Sequence, residues 1–255
     1  MRIPLAGWHF FAAAALAATP PARAQEKIGI AVIVRNDVSG MLLSRTVPIS
    51  PGEDVFGKEI VKTGPESSAK LVFADSTNLA VGPNASVTLD RFVFSGPTDY
   101  KKAAVTLVRG AFRFTTGNSD KRAYEIKTGV ATLSVRGTVG DILARERETI
   151  VTVVSGTILA CSIMSYRCTV VLAGETAKIT LNSATKKTVQ GPNAFSFEGI
   201  CAADPSVCEV TPYQYAAAPD LTPYAVGAAA LGAAGAGIAA GTAHSASTPP
   251  FIPPF

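Results

Sequence analysis

The sequence predicts an all-β protein, wound as a short β-helix or β-roll or arranged as a jelly-roll-like sandwich. Residues 60–94 alternate apolar and polar side chains and are cut by turns at 75–78 and 82–84, after which the same face of the chain returns inward. No apolar stripe with the 3.6-residue period of an amphipathic helix occurs before residue 200. Successive short strands without helices between them are typical of a β core.

The chain on either side of this stretch keeps the alternation. Residues 28–32 begin the first strand, and polar turns follow at 36–40 and 51–54. Residues 176–182 alternate polar with apolar side chains, which predicts a late strand with one face in water.

Four glycines interrupt the later strand patterns. Gly110, Gly137, Gly156 and Gly174 each have strand-like residues before and after them. An isolated glycine inside a strand pattern marks a bulge, a sharp bend or a close approach of two backbones. Their spacing is too irregular for a true solenoid, so β-helix and sandwich stay open as alternatives.

An ordered set of short motifs carries a family resemblance. The motifs are Thr-Gly at 63–64, SAKLVFADS at 68–76, LVRGAF at 107–112, Lys-Thr at 127–128, VRGT at 135–138, VVSGTI at 153–158 and LAGE at 172–175. In this order, over about residues 47–181, they resemble the FecR domain. Two positions depart from the family pattern, since Gly129 stands where proline is usual and Val139 where an aromatic residue is usual.

The resemblance implies a role in signalling. FecR-type proteins couple a cytoplasmic anti-sigma segment, through one membrane helix, to this domain in the periplasm, where it receives a signal from an outer-membrane receptor. Because neither the anti-sigma segment nor the membrane helix precedes the β pattern here, we expect a stand-alone exported module.

The cysteines form two pairs with the same spacing. They are Cys161 with Cys168 and Cys201 with Cys208. An even number of cysteines in an exported chain implies disulfides, and of the three possible connectivities we expect the two local ones. A metal site is the alternative, but the spacing matches no common zinc motif, in which about 2–4 residues separate the cysteines.

Both ends of the chain differ from the middle. Residues 1–24 predict a secretory signal peptide, with Arg2, a short apolar run and an Ala-Arg-Ala cleavage site that makes Gln25 the mature N-terminus; a retained anchor is the alternative. We expect the β domain at 25–200, a disulfide-containing irregular extension at 201–224 and an Ala/Gly- and Pro-rich tail at 225–255. The tail contains a G-x-x-x-G pattern, so a membrane-inserted helix is the alternative to a flexible low-complexity segment.

Composition and motifs argue against several functions. Loss of Arg2 and Arg23 lowers the net charge from +4 to +2, and the sequence has no basic cluster, so we expect no nucleic-acid partner. The mature chain keeps one histidine, His244, which lies in the tail, so no Ser-His or Cys-His pair is expected within the fold. We expect no enzyme activity, no metal and no cofactor.

The candidate interaction residues are Arg113, Arg136, Gly137, Thr138 and Asp141. The guanidinium of Arg136 at a strand bend could bind a carboxylate or the backbone carbonyls of a partner. The alternative, which we expect, is that Arg136 fixes its own loop through Asp141 or a backbone acceptor.

The function expected from the sequence is an exported interaction or signal-sensing module in the bacterial cell envelope. It would reside in the periplasm or outside the cell and bind an envelope protein, such as one of the outer membrane. A glycan- or cell-wall-binding domain and a structural adhesion element are the alternatives.

Overall fold

The computed structural model describes residues 25–187 and 195–214, which form fifteen strands and two short helices. The predicted signal peptide and the Ala/Gly- and Pro-rich tail lie outside the described residues. In chain order the strands are β1 (Lys27–Arg35), β2 (Val38–Leu42), β3 (Arg45–Pro48), β4 (Asp54–Phe56), β5 (Ile60–Thr63), β6 (Ser68–Phe73), β7 (Asn78–Val81), β8 (Ser86–Phe94), β9 (Tyr100–Thr115), β10 (Tyr124–Thr128), β11 (Ala131–Ala144), β12 (Thr149–Ser162), β13 (Cys168–Leu172), β14 (Thr176–Ile179) and β15 (Ala184–Lys187).

The strands form one mixed sheet that folds over itself into two layers. The long strands β9, β11 and β12 pair with different neighbours at their two ends, so each belongs to both layers. The first layer has the order β4-β1-β6-β7-β9-β11-β12-β14-β15, and the second has the order β3-β2-β5-β8-β9-β10-β11-β12-β13. Only the β9–β10 pairing is parallel among the described strands, whereas the coils of a β-helix are parallel. The predicted all-β class is confirmed, in a sandwich-like form.

One hydrophobic core lies between the layers. The alternation of residues 60–94 gives the correct inward face, because Leu71, Leu79, Val81, Val87 and Leu89 are fully buried. Strands of the second layer supply the facing side of the same cluster, including Leu107, Ile126, Leu133 and Ile158. The late strand β14 was predicted to have one face in the core and one in water. Ala177 and Ile179 do enter the core, but Thr176 on the opposite face is also buried, and its hydroxyl group is hydrogen-bonded to that of Thr152.

The bends of the long strands β9, β11 and β12 lie at Gly110, Gly137 and Gly156, and Gly174 lies in the turn between β13 and β14. Gly110, Gly137, Gly156 and Gly174 all have positive φ, a backbone conformation that other residues rarely adopt. At Gly156 the backbones of β11 and β12 also approach closely, since a Cβ there would lie 2.1 Å from the carbonyl oxygen of Gly137. The β11–β12 register shifts between Arg136 and Val139, so this bend is a β-bulge.

The segment after the sheet forms α1 (Glu198–Ala203) and α2 (Pro205–Cys208) rather than the irregular structure expected there. Asp204 caps α2 by accepting a hydrogen bond from Ser206 N, and Pro205 occupies the first helical turn, where a missing N–H costs nothing. Neither helix is long and apolar enough to span a membrane, which holds for every helix in the described part of the chain.

Both predicted disulfides are confirmed. Cys161 and Cys168 are directly opposed on β12 and β13, and Cys201 and Cys208 join α1 to α2.

Candidate functional site

The structure separates the predicted site residues into two places. Arg113 on β9 and Asp141 on β11 are directly opposed in the first layer and form a two-pronged ion pair, with Nε–Oδ1 at 2.7 Å and Nη2–Oδ2 at 3.0 Å. Arg136 lies on the second-layer half of β11, so the expected bond between Arg136 and Asp141 is wrong. Asp141 is bound by Arg113 instead.

The ion pair is buried, and Arg113 keeps its charge. Arg113 is 9% exposed and Asp141 is 1% exposed. Burial alone would lower the pKa of the Arg113 guanidinium, but its hydrogen bonds to Asp141 and Glu198 outweigh that effect and raise the pKa. A buried ion pair of this kind costs desolvation energy, and both partners need further hydrogen bonds to be stable.

Those further bonds come from a chain segment that crosses the strands. We call residues 195–213 the strap. Side chains of the first layer bind its main chain: Thr152 Oγ1 donates to Phe195 O (2.6 Å), Asp141 Oδ2 accepts from Phe197 N (2.9 Å), Lys70 Nζ donates to Ser206 O (3.0 Å), Asn78 donates to Thr211 O and accepts from Thr211 N (both 2.9 Å), and Ser76 Oγ accepts from Tyr213 N (3.0 Å).

Three of these side chains, those of Lys70, Asp141 and Thr152, lie in one line across the first layer because of the strand register. Lys70 faces Ala80, Ala80 faces Arg113, Arg113 faces Asp141, and Asp141 faces Thr152 on successive neighbouring strands. We call these five residues the polar row. Directly opposed residues of neighbouring strands project from the same face, so the row forms a continuous strip across the layer.

The strap also places side chains on the row. Phe197 and Val207 are fully buried and pack with Ala80 in a small cluster separate from the main core. Arg113 Nη2 donates to Glu198 Oε1 at 2.6 Å, and its Nη1 donates to Cys201 Sγ at 3.1 Å.

The bend at Gly137 is held by Thr138. Thr138 is buried, and its Oγ1 accepts from Arg136 N (3.1 Å) and donates to Thr157 O (2.9 Å). Its own N–H donates to Thr116 Oγ1 at 2.9 Å. The structural role expected of the Arg136 side chain is therefore filled by the threonine two residues later.

Arg136 itself is exposed and lines an open groove. The groove is formed by Ser119, Asp120, Lys121, Arg122 and Arg136. Asp120 is engaged by Arg122, whose backbone and side-chain hydrogen bonds lower the pKa of that carboxyl group. No salt bridge to Lys121 or Arg136 occurs within residues 25–187 and 195–214.

An apolar patch adjoins Arg136 on the same face. Leu159 and Val170 are directly opposed, and Leu172 and Arg136 both face Thr157, one from each side. Leu159, Val170 and Leu172, which we call the edge patch, are 40–48% exposed. They lie on β12 and β13, and β13 is an edge strand that pairs only with β12.

Sequence reasoning missed the strap and the residues that bind it. Lys70 looks like an ordinary solvent-facing strand residue and Asn78 like the end of a polar turn, yet they are 2% and 5% exposed because the strap covers them. The one local signal was Asp204-Pro205, a helix cap followed by a first-turn proline. Within the part of the chain that the structure describes, no group of three or more His, Cys, Asp or Glu residues could hold a metal ion.

Comparisons with known proteins found a sequence relative and two solved structures that are similar to part of this chain. An uncharacterized protein of Treponema pallidum (strain Nichols) is 28% identical over 110 residues, which is 42% of this chain and 15% of that protein. This chain thus spans less than a sixth of the length of that relative. Two crystal structures of a candidate anti-sigma factor from Parabacteroides distasonis ATCC 8503 align with TM-scores of 0.41 and 0.42, at 14% and 13% identity, over 51% of this chain and 60% of that one.

The family comparison covers the bent strands and both candidate sites on them. The model of the FecR protein family matches residues 59–159, a range that includes Arg113, Arg136 and Asp141. The resemblance predicted from the ordered motifs is therefore confirmed, since residues 59–159 of this chain match the model of the FecR protein family.

Proposed function

We propose that this protein is an exported protein-interaction module of the bacterial cell envelope, which senses a signal by binding an envelope protein. The FecR match supports a signal-sensing or regulatory module rather than an enzyme. The observation that carries the proposal is the exposed guanidinium of Arg136, without a salt bridge in the described residues and beside the edge patch.

The chemistry of this face suits a protein partner. An arginine guanidinium binds carboxylates and backbone carbonyls with a fixed fork of donors, and Lys121 adds a second positive charge to the groove. Leu159, Val170 and Leu172 offer apolar area at the neighbouring edge strand, where a partner chain could also pair with β13. Interfaces commonly combine an arginine anchor with such apolar contacts.

Export is supported by two independent features. The sequence of residues 1–24 is that of a signal peptide, and both cysteine pairs are closed, which is typical of an oxidising compartment. N-terminal sequencing of the protein from an envelope fraction should begin at Gln25. Recovery of chains that begin at Met1 would contradict cleavage and favour an anchor.

The interaction is tested by capture from envelope extract with three tagged proteins. Wild type and Arg147→Ala should retain the same partner, because Arg147 is an exposed arginine in the loop after β11, away from the groove. Arg136→Ala should lose most of it, since truncation of an interface arginine commonly costs about 2 kcal/mol or more, roughly thirtyfold in affinity. Equal capture by all three proteins would show that this face is not the site. Binding to purified cell-wall glycan in place of protein would favour the glycan-binding alternative.

A further inference from the structure

The strap is bound in the way that a recognition site binds a peptide. The side chains of Thr152, Asp141, Lys70, Asn78 and Ser76 all contact main-chain atoms of the strap. Contacts of this kind depend on the path of the bound chain rather than on its side chains. In peptide recognition, main-chain bonds supply affinity while pockets for side chains supply specificity.

The first layer also provides those pockets. Phe197 and Val207 are 0% and 1% exposed against Ala80, with Ile33 and Ala111 beside them. Glycine at position 82 makes room for Ile200, because a Cβ there would lie 2.8 Å from Ile200 Cδ1.

The face beneath the strap is suited to being uncovered. Its apolar cluster is separate from the main core, which the strap contacts through Tyr213 at its C-terminal end. Arg113 and Asp141 remain paired with each other without the strap. Lys70, whose ammonium group donates hydrogen bonds to Ser206 and Thr211 of the strap, would regain water. Removal of the strap therefore leaves no buried charge on this face without a partner. An unpaired buried charge is the usual reason why such a face cannot open.

We propose that the outer face of the first layer is a peptide-binding groove, and that the strap is its built-in ligand, which a partner peptide of the same chemistry displaces. The chemistry is set by Phe197-Glu198: a bulky apolar residue for the Ala80 pocket, followed directly by a carboxylate for Arg113. This site lies on the opposite layer from Arg136 and does not depend on the function proposed for that residue.

The covalent connection between β15 and the strap, which we call the tether, controls the exchange of the strap for a partner peptide. A ligand on a short linker has an effective concentration of about a millimolar, so a free peptide competes poorly while the strap is attached. The Cys201–Cys208 disulfide closes a small ring within the strap and reduces the conformational freedom lost on binding. Cutting the tether should therefore reveal the groove.

The test uses the full-length protein with a protease recognition sequence inserted between Lys187 and Phe195. The folded protein is cleaved, and a fluorescent, disulfide-closed peptide of residues 195–214 is added. We expect saturable binding to the cleaved protein and at least tenfold weaker binding to the uncleaved one. The far-UV circular dichroism of the β body should be unchanged when the peptide has replaced the strap.

Two variant peptides distinguish recognition from nonspecific adhesion. Val207→Ala removes two methyl groups from a buried position and should weaken binding about tenfold, whereas Val210→Ala makes the same change at a residue that is 65% exposed and should have no effect. Equal binding of both peptides would overturn the proposal. So would a cleaved protein that never exchanges its strap, or a body that unfolds when the strap leaves, since each outcome would make the strap an integral part of the fold.

Discussion

At the scale of single residues, the bend of β11 assigns three tasks to three neighbours. Gly137 supplies a positive φ, Thr138 fixes the loop through hydrogen bonds, and Arg136 lines the groove without a salt bridge to any residue that the structure describes. The sequence showed that the Arg-Gly-Thr motif lies at a bend. It could not divide the tasks, because the acceptor Thr157 lies on the neighbouring strand β12, and its pairing with Arg136 is set by the strand register.

The first prediction compares two substitutions in this motif. Gly137→Val should destabilise the fold by about 1–3 kcal/mol, because a β-branched residue is strained at φ of +57°. Arg136→Ala should change the unfolding free energy by no more than about 0.5 kcal/mol, since the side chain is exposed and forms no salt bridge within residues 25–187 and 195–214. Chemical denaturation of both variants gives the comparison. A larger loss for Arg136→Ala would restore the structural role that the sequence suggested.

The second prediction concerns the buried ion pair. Arg113→Met leaves Asp141 buried without its charge partner and should cost about 3–5 kcal/mol. The double variant Arg113→Met/Asp141→Leu removes both charges and should lose less than the single variant, even though Phe197 N then lacks its acceptor. Denaturant unfolding of the single and double variants measures both effects; a single variant within 1 kcal/mol of wild type, on the scale of an exposed pair, would contradict burial of the pair.

The third prediction concerns pH. Glu59 is 4% exposed, and desolvation raises the pKa of its carboxyl group above 4.5, although a hydrogen bond from Phe56 N opposes the shift. The folded state therefore holds this proton more tightly than the unfolded state. The stability that protonation of Glu59 provides is complete below pH 4.5 and is lost as the pH rises through the raised folded-state pKa.

Glu59→Gln should remove this dependence. The difference in unfolding free energy between wild type and variant should move in favour of the variant as the pH rises from 4 to 7. Urea denaturation across that range provides the measurement, and other titrating groups cancel because both proteins contain them. A difference that stays constant with pH would mean that Glu59 is solvated.

At the scale of elements, alternation identified the strands well and the helices not at all. The inward phase of β6, β7 and β8 follows directly from their apolar residues. Helices α1 and α2 have six and four residues, which is too short for a periodic pattern to appear. The strand–glycine–strand pattern indicates bends inside strands, and Gly110, Gly137 and Gly156 do lie inside the long strands β9, β11 and β12.

The two disulfides provide an element-scale prediction, since they close loops of equal sequence separation. Replacing both cysteines of either pair by serine should lose about 2–3 kcal/mol of chain-entropy stabilisation. Only the Cys201/Cys208 variant should also make the strap more susceptible to proteolysis, because the other pair lies in the β12–β13 hairpin. Limited proteolysis followed by mass spectrometry separates the two variants. Equal cleavage of the strap in both variants would show that the Cys201–Cys208 disulfide does not protect the strap from proteolysis.

At the scale of the whole molecule, the fold class and the family resemblance could be predicted from the sequence, but the order of the strands in the two layers could not. Alternation and turns indicate strands, but the order of strands in two layers depends on pairings between residues far apart in the chain. The pairing of Arg113 with Asp141 and the seating of the strap on Lys70 are of this kind. A single sequence contains no direct signal for either contact.

The fifth prediction is that deletion of residues 224–255 leaves the β domain folded. The deleted sequence contains few large apolar side chains, so its loss removes little buried area. The melting temperature of the truncated protein should match that of the full chain within about 2 °C, since one kcal/mol corresponds to roughly 2–4 °C in a protein of this size. A fall well beyond that value would show that the tail packs on the domain.

The bend of β11 also connects the two candidate sites through a short stretch of backbone. One continuous strand carries Arg136 on one layer and Asp141, five residues later, on the other. Hydrogen bonds hold both ends in their sheets, and the pivot between them is Gly137. Only a few peptide units of backbone therefore separate Arg136, which a partner would bind, from Asp141. The carboxylate of Asp141 accepts the hydrogen bond from Phe197 N near the start of the strap.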